Sequence, residues 1–194
     1  MFHVKHYNIG ENMQIEDIIK AEYGRSDRIM SGDLDKAVRN VVQCLLENRL
    51  TVATGESLTG GLLSERITSV SGASQVIELG VCTYSDRMKQ HLLHVPSGIL
   101  AEYGAVSRQT AYAMAEGLQH LSGADLCLTV TGLAGPGGGS SELPVGTVYA
   151  GFAFQNRIAA TLLRLSEFPE LDRDGIRHMT ALCVFQLAKQ LLLA

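Results

Sequence analysis

The chain has 194 residues, enough for one domain with a full core and too few for two ordinary ones. An apolar fraction of 46% with a charged fraction of 19% describes a globular protein and excludes extensive disorder. The net charge of −4 excludes the basic footprint of a non-specific nucleic-acid binder or of a protein held on an anionic membrane surface.

Residues 1 to about 30 read as an extension, with a short helix expected around Met13 to Tyr23. His3 and His6 lack Cys or carboxylate partners at ligand spacing, so they fit a solvated tail better than a metal site. Residues 31–194 then read as a single domain. Leu34, Val38, Val41, Val42, Leu45 and Leu46 recur at helical spacing behind Ser31 and Asp33 as candidate caps. An apolar run at 50–54 predicts a strand, followed by the turn Gly55-Glu56-Ser57-Leu58-Thr59-Gly60-Gly61 and a helix from about 58 to 70. Val76 to Tyr84 is rich in β-formers and predicts a second strand. Ser85 or Asp86 caps a helix carrying Lys89 one turn in, Pro96-Ser97-Gly98 interrupts it, Glu102-Tyr103-Gly104 marks a turn, and Ser107 caps a long helix.

Ala124 to Thr131 is nearly continuous in apolar character, as in a strand covered on both faces. It feeds a glycine-dense loop, Gly132 to Ser141, and then a strand within Pro144 to Phe154. The break at Gln155-Asn156-Arg157 predicts a hairpin into Ile158 to Leu165, and a last helix runs from about Asp172 to Leu193. Strands interleaved with helices plus one late hairpin imply an α/β fold: a three-layer α/β/α sandwich with a mixed, mostly parallel sheet. Cys44, Cys82, Cys127 and Cys183 lie in apolar segments without a CxxC pair and read as buried free thiols. No apolar stretch approaches the roughly 20 residues of a membrane span. Met1 to Gly10 is polar rather than signal-like, so a cytoplasmic protein is expected.

In open α/β sheets the functional crevice lies beyond the carboxyl ends of the strands. The loops beginning at Gly55, Tyr84 and Gly132 therefore bring Ser57, Tyr84 with Lys89, and the glycine loop toward one cleft. No histidine accompanies these loops, so a Ser-His-Asp triad is poorly supported, whereas a lysine made neutral by desolvation can activate a serine. Each residue also has a structural reading. Ser57 or Thr59 can simply cap a helix, Lys89 can be a solvated charge, Tyr84 can pack at a strand end, and the glycine loop can be a tight connector. Arg173 and Arg177, one turn apart, are able to clamp an anion or to form an exposed basic face.

Five ordered motifs carry a resemblance: Gly55 to Gly61, Thr83-Tyr84-Ser85 with Lys89, Gly104-Ala105-Val106-Ser107, Thr131 to Pro136, and Pro144-Val145-Gly146-Thr147-Val148. Together they resemble the CinA C-terminal domain family, whose characterised members are nicotinamide-nucleotide amidases. The resemblance covers residues 35 to 192 and implies the stand-alone amidase form. It implies hydrolysis of the carboxamide of nicotinamide mononucleotide to nicotinate mononucleotide and ammonia, without metal or cofactor. By motif position Ser57 is the nucleophile, Lys89 its general base, and Tyr84 assists proton transfer or orients Lys89.

Substrate contacts are expected from Glu56, Thr59, Gly60, Gly61, Thr131, Gly132, Gly135 and Arg173, with N–H groups near Thr59 and Gly60 facing the oxyanion. Gly55 and Leu58 stand where the family commonly has Ala and Cys, Asp86 where it has Asn, Leu143 where it has Lys, and Leu171 where it has the Gly of Gly-Asp-Arg. Asp86 places a negative charge near Lys89 and is expected to raise its pKa, against a neutral base. The expected partners are a pyridine nucleotide and a second copy in a homodimer, with no nucleic acid and no membrane. The competing function is a diverged, non-catalytic interaction module in competence or DNA-damage response. A metal-dependent phosphatase ranks last, because Glu142 is the only carboxylate near the glycine loop.

Overall fold

A computed structural model describes residues 32–194. The extension, His3, His6 and the helix expected around Met13 to Tyr23 lie outside the described residues. The apolar period after Asp33 forms helix α1 (Leu34–Asn48), with the Asp33 carboxylate accepting the Lys36 N–H at 3.3 Å as its cap. Strand β1 (Val52–Glu56) follows, buried at all five positions. Helix α2 (Leu62–Thr68) begins four residues later than the sequence suggests. The reason is local: Gly60 and Gly61 take φ of 63° and 101°, in the left-handed region that a right-handed helix cannot include.

Strand β2 (Ile77–Cys82) alternates half-buried and exposed positions, the pattern of the sheet edge it occupies. Helix α3 (Asp86–Leu93) is capped by the Ser85 hydroxyl. Helix α4 (Ser97–Tyr103) was hidden behind Pro96-Ser97-Gly98: Pro96 occupies the cap, where a missing N–H costs nothing. Ser107 caps α5 (Arg108–Ser122) by accepting the Thr110 N–H at 3.1 Å. Strands β3 (Leu126–Gly132), β4 (Val148–Phe154) and β5 (Arg157–Leu162) precede the last helix, α6 (Arg173–Leu193), capped by Asp172.

The sheet has the order β2-β1-β3-β4-β5. Strand β1 pairs parallel with β2 and β3, while β3 with β4 and β4 with β5 pair antiparallel, so four of the five strands run the same way. The β4–β5 turn places Gln155 and Asn156 at φ of 52° and 59°, the two positive values of a type I′ hairpin. Helices α1, α2 and α6 cover one face over Val52, Leu128, Val148 and Phe152. Leu93 of α3 and Met114 and Leu118 of α5 cover the other over Ala53, Cys127 and Ala153. Gly117 lets α5 lie against the end of α3, since a Cβ there would overlap the Leu93 carbonyl.

Cys44, Cys127 and Cys183 are buried, but Cys82 is exposed, because even positions of the edge strand face outward. None of the described helices is long and apolar enough to cross a membrane. The chain leaves β1 for β2 on one side and returns to β3 on the other. That reversal opens the crevice beyond the carboxyl ends of β1 and β3.

Candidate functional site

Beyond the end of β1, the Ser57 N–H donates to the Val130 carbonyl at 3.1 Å and so continues the pairing with β3 by one residue. The turn that follows does not use Ser57 or Thr59 as a helix cap. Instead the fully buried Glu56 carboxylate accepts N–H bonds from Gly61, Leu63 and Ser64 at 2.9–3.0 Å and the Ser64 hydroxyl at 3.1 Å. A carboxylate at the unpaired N–H groups of a helix start is stabilised by those donors and by the helix dipole. With the cap supplied by Glu56, the Ser57 hydroxyl is left for another partner.

That partner is Lys89. Its Nζ lies 3.2 Å from Ser57 Oγ, 3.0 Å from the Thr83 carbonyl oxygen and 3.5 Å from that of Tyr84. The side chain is 1% exposed, although Lys is among the residues least often buried. Burial pushes the ammonium below its ordinary pKa, and Asp86 Oδ1 at 3.9 Å pulls the other way with less force. The sequence-based expectation that Asp86 raises the value is right in direction, but desolvation outweighs it, and the net shift favours a neutral amine. A neutral amine has two N–H donors and one lone pair. The two carbonyls take the donors, which leaves the lone pair for the Ser57 O–H.

The surrounding cleft measures about 250 Å³. Ser57, Tyr84, Lys89, Thr131, Gly132, Gly135 and Arg173, all expected at the site, line it together with Leu58, Asp86 and Ala134. Tyr84 takes a different part from that expected. Its carbonyl holds Lys89, but its exposed hydroxyl accepts from Arg173 Nη2 at 3.3 Å, at the rim and away from the amine. Arg173 Nη1 also donates to the Gly135 carbonyl at 2.6 Å, tying the last helix to the glycine loop. Thr131 lines the wall, yet its hydroxyl is spent on the Ala105 carbonyl at 2.7 Å.

Glu56, Thr59, Gly60 and Gly61 do not line the cleft. Glu56 is the helix cap, Gly61 donates to it, and the Gly60 N–H is used by the Ser57 carbonyl at 3.1 Å, so Gly60 has no donor for an oxyanion. Thr59 is fully buried, with a hydroxyl that finds no partner among the described residues. The N–H groups of Leu58 and Thr59 make no hydrogen bond with the described residues. Arg177 donates to the Thr59 carbonyl at 2.9 Å and pairs with Asp174 at 3.0 Å, so it braces the turn rather than joining Arg173. Sequence reasoning missed the capping role of Glu56. The signal was present: a carboxylate one residue before the turn, with two glycines that remove any side-chain cap from the helix start itself.

The model for the CinA C-terminal domain matches residues 34–192. A CinA-like protein from Geobacter sulfurreducens is 42% identical over 167 residues, 85% of this chain and 39% of that protein. Another from Akkermansia muciniphila is 48% identical over 148 residues, 76% of this chain and 34% of that protein. The chain thus spans well under half the length of these curated relatives. Among solved structures, the competence/damage inducible protein CihA from Agrobacterium tumefaciens superposes with a TM-score of 0.76 at 36% identity, over 81% of this chain and 94% of that one. A competence-damaged protein (CinA) superfamily protein from Klebsiella pneumoniae gives 0.78 at 27% identity, over 83% and 98%.

Proposed function

The chain belongs to the CinA C-terminal domain family, and from that premise we propose that it is an amidohydrolase releasing ammonia from nicotinamide mononucleotide to leave nicotinate mononucleotide. The observation that supports this chemistry above all is the buried Lys89 amine 3.2 Å from Ser57 Oγ, with carbonyls of Thr83 and Tyr84 on its other side.

Lys89 takes the proton of Ser57 as Oγ attacks the carboxamide carbon. The tetrahedral oxyanion accepts from the Leu58 N–H, the donor that directly follows the nucleophile and has no other partner among the described residues. Lys89, now an ammonium held by its two carbonyls, returns the proton to the amide nitrogen, which departs as ammonia and leaves an ester on Ser57. Water, deprotonated by the same amine, cleaves that ester to the carboxylate and restores the hydroxyl. Arg173, Gly135 and the glycine loop form the outer wall, where the ribose phosphate end of the substrate is placed.

The test is ammonia release from nicotinamide mononucleotide by purified, chelator-treated protein, with Ser57→Ala and Lys89→Ala alongside. Activity lost by at least about a thousandfold in both variants, with unchanged circular dichroism, is the expected result. A wild type that releases no ammonia from any pyridine nucleotide overturns the amidase. It then favours the interaction module that the competence- and damage-inducible names of the relatives suggest.

A further inference from the structure

We propose that Asp86 is the charge selector of the cleft, favouring amides with a positive charge close to the carboxamide and a negative charge further out. The inference rests on the amidase reading of Ser57 and Lys89. Among the described residues, three charged ones line the cleft: Asp86, Lys89 and Arg173. Lys89 has to be neutral to accept the Ser57 proton, so in the substrate complex, before attack, it contributes no charge. What remains is a carboxylate 3.9 Å from Lys89 Nζ at the reacting end, and a guanidinium tied to Tyr84 and Gly135 at the rim. All other lining residues, such as Leu58, Ala105 and Val106, are uncharged.

The cleft is therefore a dipole, negative beside the nucleophile and positive at the mouth. An N-substituted pyridinium carboxamide with a distal phosphate has the complementary pattern: its ring cation lies a few bonds from the amide carbon and its anion beyond the sugar. A neutral dihydropyridine of the same shape gains nothing from Asp86. The same carboxylate acts after hydrolysis. The product carries a new carboxylate where the amide was, next to Asp86, and like charges at such range repel. Asp86 thus favours the substrate over its own product. Its side chain is 57% exposed, which screens the effect and makes it salt-dependent.

The test compares oxidised and reduced (1,4-dihydro) nicotinamide mononucleotide in the wild type, Asp86→Asn and the charge-retaining Asp86→Glu. It reads ammonia release and, in a Ser57→Ala background, calorimetric binding of both forms and of nicotinate mononucleotide. Asp86→Asn is expected to reduce the oxidised-to-reduced kcat/KM ratio by about tenfold and to tighten product relative to substrate, with Asp86→Glu restoring the preference and about 0.5 M salt narrowing it. A ratio that moves by less than about twofold in an active enzyme overturns the selector and leaves the amidase standing. If the wild type releases no ammonia, the amidase falls and binding decides. A preference for the cationic form lost in Asp86→Asn supports the selector, and equal affinities overturn it.

Discussion

Replacing Lys89 by Met keeps a long unbranched side chain at a position 1% exposed while removing the one group that titrates there. In the unfolded chain a lysine titrates near 10.4, whereas burial holds Lys89 lower in the folded protein. Between the two values the unfolded chain binds one proton more than the folded one, so stability rises with pH. The slope is up to about 1.4 kcal/mol per pH unit for a single proton. The sign is fixed: the cost of burying this amine is fully present below the folded value and disappears above about pH 10.4. Lys89→Met also loses the bonds to Ser57, Thr83 and Tyr84, at about 1 kcal/mol each, and recovers the desolvation of the amine. Those changes set the offset between the two proteins, but only the proton sets a slope. Cys127 and Cys183, pushed up to about 11 and about 12, contribute their own pH dependence equally to both proteins and cancel in the difference. Urea unfolding followed by circular dichroism at several values from about pH 6.5 to 9.5 supplies that difference. A wild type that gains on the variant as pH rises is the expected result. Two parallel stability profiles mean that Lys89 stays charged on folding, and the neutral-base argument fails.

Glu56→Gln places an amide NH₂ among four donors that now point at a carboxylate, and is expected to lower stability by about 2–4 kcal/mol in urea unfolding. An unchanged midpoint means that the cap is not held by the charge. Gly117→Ala drives a methyl into the Leu93 carbonyl and is expected to cost at least about 2 kcal/mol, a loss that thermal unfolding detects and that a near-neutral result refutes. Of the four thiols, Cys82 alone is expected to react with an aromatic disulfide reagent in the native protein, the others appearing only on unfolding. A second fast thiol contradicts the burial of the remaining three.

Elements with a strong period were legible before the structure: α1 from Val38, Val41 and Leu45, β3 from its unbroken apolar run, and the β4–β5 hairpin from Gln155-Asn156. The carboxyl-end rule placed Ser57, Tyr84, Lys89 and the glycine loop around one crevice, because that rule depends only on element order. What stayed hidden depends on three-dimensional partnership. Helix α4 starts at a proline that in one dimension reads as a breaker. Cys82 shares the apolar character of its strand, but only the sheet order reveals that the strand is an edge. The burial of Lys89 has no local signature at all, since charged neighbours at Asp86 and Arg87 make its helix look solvated. Its environment comes from Ser57 and Thr83, contributed by two other strand ends.

The turn after β1 shows how the sequence resolves a competition that it seems to leave open. A hydroxyl at such a turn can cap the following helix or serve chemistry, and the same lone pairs cannot do both. Glu56 settles the matter by supplying its carboxylate to Gly61, Leu63 and Ser64, and Arg177 fixes the Thr59 carbonyl from α6, so the turn is held without any contribution from the Ser57 hydroxyl. The departures from the family motifs sort by the same logic. At Gly55, where the resemblance leads one to expect Ala, a Cβ would lie 3.1 Å from Thr129 Cγ2, so this position concerns packing in the strand below the turn. Leu143 bonds within the glycine loop through its N–H to Ser140 Oγ and does not line the cleft. Asp86 alone among the departures adds a charge to the cleft wall, so a difference in substrate preference between this chain and relatives with Asn there is to be sought at that residue first.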